Sequence, residues 1–194
     1  MCVFSNKKIL LVGGCGFIGH NLALHLKKKG NSVSIVDSLS VNNVLSFTDS
    51  DIKNKKLYSS ILNNRIELLN NDQINLIVQD ARDYHAISKL YDEINPDIII
   101  HLAAVSHANK SNKDPHSTFD HSFRTLENTL DFAKNKKKHV IYLSSSMVYG
   151  DFDSKDVNEE TVCKPIGIYG TLKYSGELLV KAYNQIFDLS YTII

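Results

Sequence analysis

Residues 8–19 read KILLVGGCGFIG, which joins an apolar run to a glycine-rich turn and then to the start of an amphipathic segment. The run Lys8–Val12 is typical of a strand that is buried on both faces of a sheet. The segment from Phe17 to Lys29 has helical periodicity and stops at Gly30. The order of strand, glycine turn and helix predicts the opening βα unit of a parallel sheet.

The rest of the chain continues this alternation of short apolar runs and amphipathic segments. Further strands are predicted at Ser32–Val36, Ile74–Val78, Asp97–Leu102, Val140–Leu143 and Leu189–Ile194, and helices at about 83–94, 117–136 and 169–187. Such a pattern indicates a parallel sheet with helices on both faces, and right-handed crossovers favour a doubly wound α/β topology. We expect residues 1–194 to form one domain of this kind, with an insertion at about 38–73 in which we identify no chemistry.

The composition is that of a globular protein whose positive and negative charges nearly balance. Of 194 residues, 43% are hydrophobic and 22% are charged, and the formal net charge is +1. This balance gives no reason to expect nucleic acid or an anionic membrane as a partner, and no run approaches the roughly 18 apolar residues of a membrane span.

The three scattered cysteines suit a reducing cytoplasm. No metal site is expected, because the spacing of four histidines fits no ligand pattern: His101, His107, His116 and His121.

The glycine turn predicts a site for the pyrophosphate of a dinucleotide, as in a Rossmann fold. Gly13, Gly16 and Gly19 allow a tight turn and a close approach of the backbone to the phosphates. Phe17 and Ile18 begin the helix, whose N-terminus attracts an anion. About 20 residues later, Asp37 and the adjacent Ser38 follow the second strand, where a carboxylate accepts from ribose hydroxyls and repels a 2′-phosphate. We find no arginine close after Asp37, and we therefore favour NAD over NADP.

Two more strand ends are candidates for cofactor contacts. Asp80 and Ala81 follow the third strand, where Asp80 could accept from the amine of an adenine or could be an ordinary strand-end aspartate. Leu102, Ala103 and Ala104 follow the fourth strand, and their small side chains would admit the nicotinamide half of the cofactor. Both positions lie at the carboxyl edge of a parallel sheet, where ligands bind in this architecture.

The segment from Tyr169 to Lys173 places a phenol and an ammonium on one face of a helix. A phenol with a pKa of about 10 is a poor base at neutral pH, but a nearby cation stabilises the phenolate. Tyr169 could then remove a proton from a substrate hydroxyl while hydride leaves the same carbon, and Lys173 could also bind the nicotinamide ribose. This spacing alone is common on protein surfaces. The hydroxyl cluster in LSSSMVYG, residues 143–150, follows the fifth strand at the same predicted edge and favours a catalytic role.

Together these segments resemble the extended short-chain dehydrogenase/reductase family, specifically its nucleotide-sugar epimerases and dehydratases. The resemblance covers essentially the whole chain. It implies NAD as cofactor, a nucleotide sugar as substrate, Tyr169 as base, Lys173 as its modulator and Ser145 as the hydroxyl that orients the sugar. Ser146, Met147 and His107 would also contact substrate. Members of the family continue into a sugar-binding lobe, so we expect this chain to be the N-terminal part of a longer protein whose C-terminal substrate lobe is missing here.

Departures from the family pattern narrow the expected reaction. The dehydratases and decarboxylases have an acidic residue where this chain has Met147, and a thioether cannot transfer a proton, which favours epimerisation at sugar C4 or carbonyl reduction. Ser122 stands where many members have Asn, and Thr125 where they have Gly, which weakens that cofactor contact. A dehydratase, a reductase and a non-catalytic NAD-binding module stay as alternatives. Relatives often form homodimers through a helix pair that includes the Tyr169 helix.

Overall fold

The computed structural model describes residues 5–41, 43–47, 53–105, 108–134, 136, 138–152 and 156–194. Contacts between residues divide the chain into two compact units, Met1–Leu102 and Ala103–Ile194. Each unit contains parallel strands that alternate with helices along the chain. The α/β alternation predicted from the sequence is therefore confirmed in both, whereas the expectation of a single domain stays a prediction.

The first unit is built on four parallel strands in the order β3-β2-β1-β4. These strands are β1 (Lys8–Val12), β2 (Ser32–Asp37), β3 (Asn75–Val78) and β4 (Ile98–His101). Its helices are α1 (Phe17–Lys28), α2 (Lys55–Asn71) and α3 (Tyr84–Ile94), with a 3-10 turn at Val44–Phe47. Val12 lies opposite both Val36 and His101 in register, so three neighbouring strands end at the same level.

The core of the first unit is built largely on β1 and β4. Residues 9–12 of β1 are at most 2% exposed, and β4 is buried along its whole length. Burial of each such aliphatic side chain contributes about 1.5–3 kcal/mol. Helix α3 begins where Asp83 accepts a hydrogen bond from the backbone N–H of Ala86 at 3.1 Å, and it ends at the left-handed Asn95.

The second unit begins with short helical segments and ends with a long helix and a strand. These are α4 (Ala108–Lys113), α5 (Pro115–Phe119), a π-helical turn (Asp120–Arg124), α6 (Thr125–Lys134), β5 (His139–Tyr142), a 3-10 turn (Ser146–Tyr149), α7 (Gly167–Phe187) and β6 (Ser190–Ile193). Strands β5 and β6 are parallel, with Val140 opposite Tyr191. Helix α7 has 21 residues and carries both members of the Tyr169/Lys173 pair.

The predicted elements are confirmed to within a few residues, with one exception. The helix expected over about 117–136 is a succession of α5, the π-helical turn and α6, and α4 precedes it unpredicted. The start signal was present: the carboxylate of Asp114 accepts from the backbone N–H of Ser117 at 3.1 Å, and Pro115 occupies the first helical position. The π-helical turn depends on packing, which periodicity does not reveal.

Candidate active site

The glycine turn after β1 has the geometry that its sequence predicts. Gly13 has a φ of +75° and donates a hydrogen bond from its N–H to the carbonyl of Val36 at 2.8 Å. A Cβ on Gly19 would lie 2.3 Å from the carbonyl oxygen of Gly14, so α1 packs directly on the turn. No larger residue fits at position 19 without displacing backbone.

The first turn of α1 presents backbone N–H groups without a side-chain cap. Gly16 is the N-cap residue, and in the part of the chain that the structure describes no side chain caps this end of the helix. Phe17 and Ile18 are 71% and 58% exposed. Uncapped N–H groups at the positive end of a helix bind phosphate favourably.

Asp37 connects the end of β2 to the glycine turn. Its Oδ2 accepts from the backbone N–H of Cys15 at 2.9 Å, and its Oδ1 accepts from that of Leu39 at 2.8 Å. Each carboxylate oxygen has a second lone pair, which is open to a ribose hydroxyl. Burial raises the pKa of Asp37, and the two backbone hydrogen bonds oppose that rise. The neighbouring Ser38 shares a hydrogen bond with Ser40, Oγ to Oγ at 2.6 Å.

The insertion contacts this turn, which sequence reasoning missed. The buried Asn43 donates from Nδ2 to the carbonyl of Cys15 at 3.2 Å. Arg65 on α2 places its guanidinium 5.9 Å from the centre of the Phe17 ring. Burial raises the pKa of the Cys15 thiol, and the Arg65 charge opposes that rise. No arginine follows Asp37 closely in the sequence, and Arg65, from a helix farther along the chain, lies over Phe17 at the start of α1.

Asp80 is engaged by a neighbour in sequence. Arg82 donates to its Oδ2 from Nη2 at 2.6 Å and to its Oδ1 from the backbone N–H at 2.9 Å. Ala81 beside it is buried, and Leu102 donates from its N–H to the carbonyl of Val12 at 2.8 Å. The ion pair favours the ordinary strand-end role for Asp80, and the adenine contact stays a prediction.

In the second unit, Ala103 and Ala104 are half-buried and lead into a backbone contact with the π-helical turn. Val105 donates from its N–H to the Oγ of Ser122 at 3.1 Å. The serine that replaces the family's Asn therefore holds the backbone next to the two alanines. His107 lies outside the described residues, so its predicted substrate contact stays a prediction.

Lys173 is a buried cation in the second unit. It is 6% exposed, and its Nζ donates to the carbonyl of Leu143, just beyond β5, at 2.6 Å. The same Nζ lies 5.0 Å from the centre of the Tyr142 ring. Burial lowers the pKa of Lys173 to about 8. Tyr169 lies one helical turn earlier on α7 and is half-buried.

The turn that carries Ser145 packs against α7 next to Tyr169. A Cβ on Gly170 would lie 2.6 Å from the carbonyl oxygen of Met147, which shows close backbone contact. Ser145 accepts at Oγ from the N–H of Met147 at 3.2 Å, which leaves its own hydroxyl hydrogen free to donate. Ser146 and Met147 are exposed. The structure thus brings the Ser145–Met147 turn and the Tyr169/Lys173 helix together.

Two further buried side chains lie near Lys173 and were not predicted from the sequence. Tyr142 donates from its hydroxyl to the carbonyl of Lys173 at 3.3 Å, and burial, together with the charges of Glu177 and Tyr169, raises its pKa. Glu177 is 9% exposed and accepts at Oε1 from the Oγ of Ser144 at 2.5 Å. The available signal was spacing, because Glu177 follows Lys173 by four residues and shares its helix face.

Among the residues that the structure describes, no group of three or more His, Cys, Asp or Glu side chains is placed to hold a metal ion. No helix among them has the length and apolar character needed to cross a membrane.

Comparison with known proteins places these features in context. Residues 9–194 match the model of the NAD dependent epimerase/dehydratase family. UDP-glucuronate 4-epimerase 6 of Arabidopsis thaliana is 30% identical over 95% of this chain and 38% of its own length. The dTDP-D-glucose 4,6-dehydratase of Dictyostelium discoideum is 29% identical over 96% of this chain and 42% of its own length.

A solved structure extends the likeness to the fold. UDP-glucuronic acid 4-epimerase from Bacillus cereus, in complex with UDP-glucuronic acid and NAD, superimposes with a TM-score of 0.76 at 28% identity, covering 95% of this chain and 55% of that one. This match confirms the predicted doubly wound parallel α/β fold class. The chain spans about half the length of that structure and less of the two relatives above.

Proposed function

We propose that this chain, which belongs to the NAD dependent epimerase/dehydratase family, carries the cofactor site and the catalytic residues of an NAD-dependent UDP-sugar 4-epimerase. The observation that carries the proposal is the buried Lys173, which ties the Tyr169 helix to the strand end beside Ser145. The similarity to UDP-glucuronate 4-epimerases supports a UDP-sugar as the substrate class. The activity is that of the whole protein that contains this chain.

The first unit fits the adenosine and pyrophosphate part of NAD. The uncapped N–H groups at Phe17 and Ile18 would bind the pyrophosphate, because the bare Gly16 leaves room for the phosphates. Asp37 is already fixed by two backbone N–H groups, and its remaining lone pairs would accept from the ribose hydroxyls. A 2′-phosphate beside this carboxylate would be repelled, which supports NAD rather than NADP.

The second unit supplies the acid–base chemistry. Tyr169 would take the proton from the sugar 4-hydroxyl, and the free hydrogen of the Ser145 hydroxyl would bond to the same oxygen. The ammonium of Lys173 would stabilise the Tyr169 phenolate. Bound NAD supplies the acceptor for the hydride that leaves C4 and returns it afterwards. The 4-keto sugar would rotate in the site so that its opposite face receives the hydride, and Tyr169 would then return its proton to the 4-oxygen. Neither protons nor cofactor are consumed.

Met147 argues against dehydration. Elimination of water from the sugar needs an acid near C5 and C6, and the exposed thioether of Met147 has no proton to give. The similarity to a 4,6-dehydratase keeps that reaction as the second candidate.

The decisive experiment gives the whole protein NAD and, separately, UDP-glucuronate, UDP-glucose and dTDP-glucose, and identifies the products by NMR. The expected product is the 4-epimer of a UDP-sugar with no net change in NADH. A 4-keto-6-deoxy product would indicate the dehydratase, and steady consumption of NADH would indicate a reductase. NAD binding without turnover of any sugar, by the parent and a Tyr169→Phe variant alike, would indicate a binding module.

Two expectations accompany this proposal. We infer a homodimer, because relatives of this family often pair through the helix that carries Tyr169, and light scattering coupled to size-exclusion chromatography would measure it. We also infer a cytoplasmic setting, because three scattered cysteines suit a reducing compartment. Localisation of the tagged whole protein tests that setting.

A further inference from the structure

A buried carboxylate stands on the α7 face beside the proposed catalytic residues and has no part in the mechanism above. Glu177 accepts at Oε1 from the Oγ of Ser144 at 2.5 Å, within the range of a charge-assisted O–H···O⁻ bond. Its Oε2 lies 3.7 Å from the Nζ of the more exposed Lys181. Glu177 is only 9% exposed, and burying a carboxylate costs free energy unless hydrogen bonds or opposite charges compensate. The hydrogen bond from Ser144 supplies part of that compensation.

Ser144 lies between two residues of the proposed site. The carbonyl of Leu143 before it accepts from Lys173, and Ser145 after it carries the hydroxyl that would orient the sugar. The N–H of Ser144 itself donates to the carbonyl of Ile194 at 2.7 Å. The strand end is therefore attached to successive turns of α7, at Lys173 through a carbonyl and at Glu177 through a hydroxyl.

We propose that Glu177 is a positioning residue, which acts through Ser144 to hold the backbone from which Ser145 reaches the substrate. This inference rests on the proposed function and adds a residue to it. Glu177 would touch neither substrate nor cofactor. Loss of its hydrogen bond would let the Leu143–Met147 segment move, and small displacements of an orienting group lower the rate of catalysis more than they weaken binding.

The rival explanation is electrostatic. The charge of Glu177 contributes to raising the pKa of Tyr142 and of Tyr149, for both of which burial is the larger cause. If charge were its role, Glu177→Gln would be as damaging as Glu177→Ala. If the hydrogen bond is its role, the amide oxygen of Gln still accepts from Ser144, and Gln should recover most of the activity lost in Ala.

The experiment uses the whole protein and the variants Glu177→Ala, Glu177→Gln, Ser144→Ala and the Glu177→Ala/Ser144→Ala double variant. Lys181→Met is the matched control, because it removes the other partner of Glu177 and leaves Ser144 in place. Hydrogen exchange of the peptide that covers residues 143–149 measures the positioning directly. Steady-state kinetics with a UDP-sugar measure its consequence.

We expect faster exchange in this peptide for Glu177→Ala and Ser144→Ala, and exchange like the parent for Glu177→Gln and Lys181→Met. In the same two variants kcat should fall about tenfold with KM changed less than twofold, and the double variant should be no slower than either single variant. Unchanged exchange in both alanine variants, multiplied losses in the double variant, or Glu177→Gln as slow as Glu177→Ala would each overturn the proposal. If the parent turns over no sugar, the proposed function fails, and the exchange data still decide the role of Glu177.

Discussion

The two units of this protein build their candidate sites from different atoms. In the first unit most of the cofactor contacts would come from backbone, namely the turn at Gly13 and the N–H groups that begin α1, and the one side chain among them, the Asp37 carboxylate, is itself held by two backbone N–H groups. In the second unit the corresponding work falls to side chains buried on α7, above all Lys173. Backbone groups carry no titrating charge, whereas the burial of Lys173 lowers its pKa to about 8. We therefore expect the first unit to be sensitive mainly to substitutions that cause steric clashes. We expect the second unit to be sensitive to the identity of its side chains and to pH.

The largest expected effect separates catalysis from cofactor binding. Tyr169→Phe removes only the phenolic oxygen, so kcat for UDP-sugar epimerisation should fall about 10³-fold, within the usual range for loss of a general base. Affinity for NAD should change less than threefold, as measured by calorimetry. Tyr174→Phe is the control, because Tyr174 lies on the same helix and is also half-buried. Retained activity in Tyr169→Phe would contradict the catalytic role of the second unit, and loss of NAD binding would contradict the assignment of cofactor affinity to the first.

The second prediction tests the steric control of the first unit. Gly19→Ala places a Cβ 2.3 Å from the carbonyl of Gly14, and because the obstacle is backbone, we expect a loss of about 3 kcal/mol in the free energy of unfolding. Gly16→Ala is the matched control, since its nearest contact is 3.9 Å away. Urea denaturation measures both. Equal stability of the two variants would contradict close packing of α1 on the turn.

The third prediction concerns pH and the second unit. Above pH 8 the folded protein holds Lys173 neutral, whereas the unfolded chain keeps it protonated up to the ordinary pKa of 10.5. The unfolded state then binds more protons, so stability rises with pH in this window. Relative to Lys173→Met, the parent should gain about 2 kcal/mol between pH 7 and pH 9.5. Lys181→Met, at an exposed position, should follow the parent. A stability difference between parent and Lys173→Met that does not vary with pH would show that Lys173 is solvated.

The smallest effect concerns the insertion helix. The Arg65 guanidinium lies over Phe17, beside the end of α1 that would bind phosphate. Arg65→Met should weaken NAD binding about threefold, because it removes a cation near the anion while it preserves apolar contact with the ring. Arg65→Lys should lie between this variant and the parent, and the affinity difference should shrink with added salt. An affinity for NAD that is independent of residue 65 would confine the role of α2 to packing.

The sequence predicted the fold well, and the site residues that it named stay predictions. The glycine turn, Asp37, Ser145, Tyr169 and Lys173 could be named because each stands at a fixed distance from a strand or helix that periodicity reveals. At Asp80 the adenine contact stays a prediction, and the structure adds an ion pair with Arg82, two residues later, that spacing did not indicate. Local spacing identifies candidates and does not reveal which partners already occupy them.

Sequence alone determined the alternation of strands and helices, the turn that only glycines permit, and the helix that sets a phenol one turn before an ammonium. These depend on steric limits and periodicities that act within a few residues. Only the tertiary structure decided that Lys173 is buried against the Leu143 carbonyl, that Glu177 holds Ser144, and that Arg65 reaches Phe17. Each of these contacts joins residues at least 30 positions apart, and burial and charge at such contacts depend on how whole elements pack rather than on any local pattern.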